Sequence, residues 1–153
     1  MPTATDTLLS SDECRDLRRI AGIMIPASEE FAIPGADDPT IFADIIRSLG
    51  RDLGDVRAAL SEIAVLCGGD FAALGADRAE QVVMRVCTRD DPVAAALARV
   101  VLQCYYRDDR VLHSLGHEPR APFPKGHTLE QGDWSLLDAV RDRPQLWRDD
   151  RTR

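Results

Sequence analysis

The side chains best suited to chemistry in this sequence are its three histidines, which all lie in the C-terminal third. His113 and His117 are four residues apart, a spacing that can place two metal ligands on one face of a helix. Gly116, however, is the residue type that ends a helix, and no glutamate stands where a zinc peptidase needs one. The pattern therefore favours surface or interface histidines, and a small metalloenzyme that uses His113, His117 and His127 remains an alternative.

Paired carboxylates are the second candidate for chemistry. Asp108 and Asp109 are adjacent, and Arg107 and Arg110 flank them. General acid–base catalysis needs two carboxyl groups whose environments separate their pKa values, and one charged turn gives both groups the same environment. We therefore expect them to cap a short helix from Asp108 to Leu115 rather than to catalyse.

The cysteines do not form a recognisable ligand set. No Cys-x-x-Cys motif is present, and each cysteine stands among apolar residues, where an unpaired thiol behaves as a small hydrophobic side chain. We expect four buried free thiols and a reducing compartment. The four are Cys14, Cys67, Cys87 and Cys104.

The composition excludes some partners. The chain has 153 residues and a net charge of −7, and its arginines alternate with acidic residues, so a basic surface for nucleic acid is not expected. No apolar run approaches the ~20 residues of a membrane span, and no signal peptide is visible. We expect a cytoplasmic protein, or a periplasmic one if a leader has been removed.

Helical patterns dominate the chain up to Tyr105, and the strongest helix starts are caps. Ser10 and Glu13 have capping-box spacing, and both Asp38-Pro39 and Asp91-Pro92 pair a capping carboxylate with a proline at the first helical position. No stretch alternates as a strand does. The sequence predicts an all-α fold, a compact bundle of about six helices around one core, with an extended Pro-rich C-terminal segment.

More specific expectations concern the boundaries and the core. We expect a single domain over residues 1–153, with 1–9 disordered and 117–153 forming an irregular docking segment. A break in the helical pattern is expected at residues 50–54. A further helix is expected to start at Asp77, with Glu80 as its capping partner. Phe31 and Ile33 are expected to tuck under the turn at Pro34-Gly35, and Trp134 to pack in the core.

Residues 105–147 contain both tyrosines and both tryptophans, together with several prolines. A proline-rich run tends to be extended, and exposed aromatic side chains are typical of interface hot spots. We therefore expect a partner protein to contact this segment. The candidate interface residues here are Tyr105, Tyr106, Pro122, Phe123, Pro124 and Trp147.

Two blocks of the sequence resemble the gluconate 2-dehydrogenase subunit 3 family. The first is IAGIMIPASEEFAIPGADDPTIFADII at residues 20–46, in which a helix runs into Ile-x-Pro and then a Pro-Gly-Ala turn. The second is YYRDDRVLHSLGHEPRAPFPKG at residues 105–126, in which a Tyr-Tyr helix end precedes a Leu-Gly stop and a proline-rich tail. The turn at Pro34 and Gly35 joins the candidate interface.

The resemblance implies a small subunit without catalytic residues or a cofactor of its own. Its partner would be a large flavoprotein of the glucose–methanol–choline oxidoreductase type, which carries FAD and acts on a sugar or related alcohol. The twin-arginine leader found on many such small subunits is not seen here. A stand-alone homo-oligomeric interaction or regulatory domain is the main alternative.

Overall fold

The computed structural model describes residues 9–121, 123–126 and 128–144. It divides the chain into two units, Met1–Pro119 and Arg120–Arg153, which we call the bundle unit and the C-terminal unit. The boundary lies close to the expected start of the docking segment. The expectation of disorder at 1–9 falls on residues outside this range except for Leu9, which is buried in the bundle unit.

The all-α prediction is confirmed, because the described residues contain seven α-helices and no strand. The nearest approach to β-structure is an isolated bridge between Ser28 and Ile33. None of the described helices combines the length and the apolar character that crossing a membrane requires. The helices are α1 (Ser11–Met24), α2 (Pro39–Ser48), α3 (Leu53–Cys67), α4 (Ala76–Cys87), α5 (Pro92–Tyr105), α6 (Asp109–Ser114) and α7 (Asp138–Arg141).

Most of the predicted helix starts are confirmed by their hydrogen bonds. The Ser10 hydroxyl accepts from the backbone N–H of Glu13 at 3.1 Å, and the Glu13 carboxylate accepts from the Ser10 N–H at 2.7 Å. The bond from the Ser10 backbone lowers the pKa of Glu13. Asp38 and Asp91 cap α2 and α5 with proline at the start of each helix, as expected.

In the middle of the bundle, the helices end where the sequence predicts, and one helix start differs from its prediction. A 3-10 turn at Gly50–Asp52 separates α2 from α3, and Gly68 ends α3 with a left-handed φ of 82°. The start of α4 was wrongly placed, because Gly75 is its N-cap and Asp77 lies inside the first turn. A glycine can adopt the extended N-cap conformation without a capping side chain, which the Asp77 pattern could not reveal.

Helix α5 is the centre of the bundle core. It packs against α2, α3 and α4, and half of its residues are buried. A helix buried on several faces must be short in polar side chains, which explains its run of alanine, leucine and valine. Its buried residues are Ala94, Ala96, Leu97, Val100, Val101, Cys104 and Tyr105.

Two arginines connect helices to distant backbone and side chains. Arg99 of α5 forms a two-pronged ion pair with the buried Asp52, with Nη2–Oδ1 at 2.7 Å and Nε–Oδ2 at 3.2 Å. This pair lowers the pKa of Asp52. Arg19 of α1 donates to the carbonyl oxygens of Phe71, Ala72 and Leu74, and so fastens the 3-10 turn Phe71–Ala73 to α1.

Candidate partner interface

The C-terminal unit exposes its apolar side chains. All of its described residues from 121 to 144 are exposed, and none contributes to the buried core. Trp134 was expected in the core, and this expectation was wrong, since 62% of its surface is exposed. The exposed large apolar residues of this unit are Phe123, Leu129, Trp134, Leu136, Leu137 and Val140.

Local hydrogen bonds fix the backbone that carries these side chains. Asp133 starts the 3-10 turn Trp134–Leu137, as its carboxylate accepts from the Ser135 N–H at 3.0 Å and the Ser135 hydroxyl at 2.6 Å. These bonds lower the pKa of Asp133. The indole N–H of Trp134 donates to the Gln131 side chain at 3.4 Å. Helix α7 continues directly from this turn.

A turn at residues 123–125, within the proline-rich run, presents Phe123. Arg120 donates from Nη1 to the Ala121 carbonyl at 3.2 Å and from Nη2 to the Gly126 carbonyl, which joins the two ends of the run. Gly126 has a φ of 69°, a conformation that glycine adopts without strain. Phe123 is 86% exposed, and Pro124 is exposed beside it. Pro122 and Trp147, two other candidates, lie outside the described residues.

The two tyrosines at the end of α5 have different environments. Tyr105 is 2% exposed, whereas Tyr106 is 52% exposed, and their rings meet edge to face with centroids 5.2 Å apart. Burial raises the pKa of Tyr105, and its hydroxyl has no hydrogen-bond partner among the described residues. A partner docking on this helix end would therefore meet Tyr106 directly and Tyr105 only through it.

Pro34 and Gly35 lie in the loop between α1 and α2. Gly35 is buried and Pro34 is half-buried, and no described hydrogen bond, ion pair or ring contact joins them to the tyrosines. Phe31, in contrast, is 64% exposed at the tip of this loop, so the expectation that it tucks under the loop was wrong. The Ser28–Ile33 bridge holds the tip in a tight turn. Sequence reasoning missed Phe31 as a candidate contact because it took the aromatic type as a sign of burial.

His113 lies on α6, and His117 follows the end of that helix. The His113 ring nitrogen Nδ1 lies 2.8 Å from the Asp109 carbonyl oxygen, and Gly116, with a φ of 77°, ends the helical geometry before His117. His127 lies outside the described residues. Among the residues that are described, no three His, Cys, Asp or Glu side chains lie close enough to hold a metal ion.

The remaining candidates for chemistry have structural partners. Asp108 caps α6 and pairs with Arg110, which lowers the pKa of Asp108. All four cysteines are free; Cys104 is buried, whereas the other three are half-buried, so the expectation of complete burial was wrong for them. Burial raises the pKa of the Cys87 and Cys104 thiols.

Comparisons of the chain with protein-family models, with curated proteins and with solved structures find no match.

Proposed function

We propose that this chain is a non-catalytic small subunit that binds and stabilises a large FAD-dependent oxidoreductase of the glucose–methanol–choline type, acting on a sugar or related alcohol. The proposal combines the resemblance of residues 20–46 and 105–126 with one structural observation. That observation is the C-terminal unit, whose apolar side chains are exposed while its backbone is held by capped turns.

The exposed apolar side chains of the C-terminal unit suit a protein partner. Trp134, Leu136, Leu137 and Val140 are all exposed and occur within seven residues, in a 3-10 turn and the helix that follows it. Large exposed apolar patches on a protein surface mark interaction sites. A stable interface of standard size buries about 1,600 Å² in total. Residues 134–140 alone cannot supply that area, so other residues must contribute. Phe123, Phe31 and Tyr106 are exposed aromatic side chains that supply further contacts.

The cofactor in this proposal belongs to the partner. The small subunit would hold no FAD itself, and its contribution would be to cover apolar surface of the large chain and so to stabilise its fold. The flavin and the substrate would then both lie on the large subunit.

The test is a purification of the tagged full-length chain from its own organism. We expect a large chain of the glucose–methanol–choline type to co-purify at a fixed ratio, with FAD released from it on denaturation. The double variant Trp134→Ser, Leu137→Ser should lower recovery of that flavoprotein at least tenfold, because truncating one central aromatic anchor alone commonly costs about 2 kcal/mol of binding.

Glu130→Ala is the matched control, since it removes an exposed polar side chain from the same unit. Its recovery of flavoprotein should equal that of the wild type. A preparation that contains no flavoprotein contradicts the proposal. If the isolated chain instead sediments as a stable oligomer that the double variant dissociates, the homo-oligomeric alternative is correct.

A further inference from the structure

A cleft of about 610 Å³ lies in the bundle unit, between α1, the loop that follows it and α2. The cleft is shallow and widely open to solvent, so a ligand would lie along its surface. The lining carries three arginines and one carboxylate, which is unusual in a chain with a net charge of −7. The polar groups of interest are Arg18, Arg19 and Asp37, and Phe42 supplies an aromatic wall.

Arg18 is held in place with most of its donors unused. Its Nε donates to the Asp37 carbonyl oxygen at 2.8 Å, and its guanidinium carbon lies 5.9 Å from the centre of the Phe42 ring. Within the described part of the chain, neither of its terminal nitrogens makes a hydrogen bond and no carboxylate lies within 4.0 Å of the guanidinium. The two terminal nitrogens form the planar fork that binds a carboxylate through two parallel hydrogen bonds.

The other two arginines of the cleft are occupied differently. Arg15 pairs with Asp12 at 2.7 Å and with Asp16 at 3.2 Å, so its charge is balanced. Arg19 is bonded to backbone carbonyl oxygens and, among the described residues, pairs with no carboxylate, so it adds a positive charge to the cleft. A positive charge at this position favours an anion held by Arg18.

The acidic and thiol groups of the lining do not block an anion. The Asp37 carboxyl lies against the backbone of α1, where a β-carbon on Gly22 would come within 2.9 Å of its Cγ. It is therefore turned toward the glycine and makes no ion pair with Arg18. Desolvation raises the pKa of Cys14, so this thiol is neutral at pH 7.

We propose that the cleft binds a carboxylate that is attached to an apolar or aromatic group. The carboxylate would pair with the Arg18 fork, and the apolar group would lie against the Phe42 ring. Either a free organic acid or the chain terminus of a protein could present this chemistry. The proposal needs only the isolated chain, so it holds whether or not a flavoprotein partner binds.

The test is a titration of the nitrogen-labelled full-length chain, observed through the arginine Nε–H resonances. Sodium benzoate should shift the Arg18 resonance and saturate, whereas benzamide, its neutral counterpart, should not. Arg18→Lys keeps the charge but loses the planar fork, and should weaken benzoate binding about tenfold, the equivalent of one charge-assisted hydrogen bond. Asp37→Asn should strengthen binding severalfold, because it removes the negative charge of a carboxylate that lines the cleft.

Arg85→Gln is the control, as Arg85 is exposed on α4 and makes no ion pair among the described residues. Unchanged urea unfolding will show that each variant is folded. Equal binding of benzamide and benzoate, or unaltered benzoate binding in Arg18→Lys, would overturn the proposal. N-acetylphenylalanine, which mimics the terminus of a protein chain, distinguishes a chain terminus from a free organic acid as the ligand, with its amide as the neutral control. If N-acetylphenylalanine binds at least tenfold more tightly than benzoate, the ligand is a chain terminus. If it binds less tightly than that, the ligand is a free acid.

Discussion

Asp38 combines two functions in one side chain. Its Oδ1 atom accepts from the Thr40 N–H at 2.9 Å and so caps α2, and its carboxylate also pairs with Arg110 at 2.7 Å. The hydrogen bonds from Arg110 are the main cause that lowers the pKa of Asp38 from 3.8 to about 2. The start of α6 is thereby tied to the start of α2 by charge.

This shift predicts a pH-dependent contribution to stability. A carboxyl whose folded pKa lies below its unfolded value stabilises the fold above pH 3.8, and the stabilisation is lost as the pH falls from 3.8 to about 2. Asp38→Asn keeps the cap but removes the charge. We expect it to lower the free energy of unfolding at pH 7 by about 1 kcal/mol, allowing for solvent screening at a half-buried site, and to approach the wild type near pH 2.

Urea unfolding at a series of pH values measures this difference. Asp90→Asn is the control, since Asp90 is exposed and makes no ion pair among the described residues. If the wild type exceeds Asp38→Asn in free energy of unfolding by the same amount at pH 7 and at pH 2, charge pairing with Arg110 is not the origin of the difference.

The loop between α1 and α2 is an element whose shape depends on glycine. A β-carbon on Gly35 would lie 2.8 Å from the Ala27 nitrogen and 3.1 Å from the Ile25 carbonyl oxygen. Both atoms belong to the backbone, so they cannot move aside as a flexible side chain would. The loop therefore closes on itself only because residue 35 has no side chain.

Gly35→Ala is expected to lower the free energy of unfolding by about 1–3 kcal/mol, the usual cost of overpacking a closed site. The control is Gly54→Ala in the first turn of α3, where a β-carbon would meet nothing within 4 Å. That change should stabilise the chain by up to about 1 kcal/mol, because alanine is the better helix former. The urea midpoints of the two variants should thus move in opposite directions. A Gly35→Ala variant with the same urea midpoint as the wild type would show that the backbone of Ala27 and Ile25 does not pack closely against residue 35.

Elements that depend on neighbouring residues could be predicted from the sequence, and those that depend on distant contacts could not. The caps at Ser10 and Asp38 are local, since each bonds to backbone within three residues. Trp134 was misjudged because periodicity shows that a residue shares a face with apolar neighbours but not whether another element covers that face. The cleft at Arg18 was missed for the same reason, as its anchor at Asp37 is nineteen residues away.

At the scale of the whole molecule, the core formed by the described residues is confined to the bundle unit. The buried hydrophobic residues run from Leu9 to Val111, and none of the described residues of the C-terminal unit is among them. Stability should therefore reside in the bundle unit, with the C-terminal unit adding binding surface rather than core.

A chain that ends at Pro119 is accordingly expected to retain its helical circular dichroism and to unfold cooperatively, with a urea midpoint close to that of the full chain. A chain cut after Cys104 is the control, because it loses the buried Tyr105 and Val111. That shorter chain should lose cooperative unfolding, since truncating one large core side chain alone costs about 2–5 kcal/mol. Loss of cooperative unfolding in the chain ending at Pro119 would contradict a self-sufficient bundle.

The exposed tryptophan and leucines of the C-terminal unit also bear on the lifetime of the molecule in a cell. Chaperones and proteases recognise apolar side chains that a folded protein leaves uncovered, and they act continuously on such chains. Copies made in excess of a binding partner would keep these side chains in water and would be degraded, whereas assembled copies would be spared. The surface around Trp134 would in this way match the amount of this chain to the amount of whatever covers it.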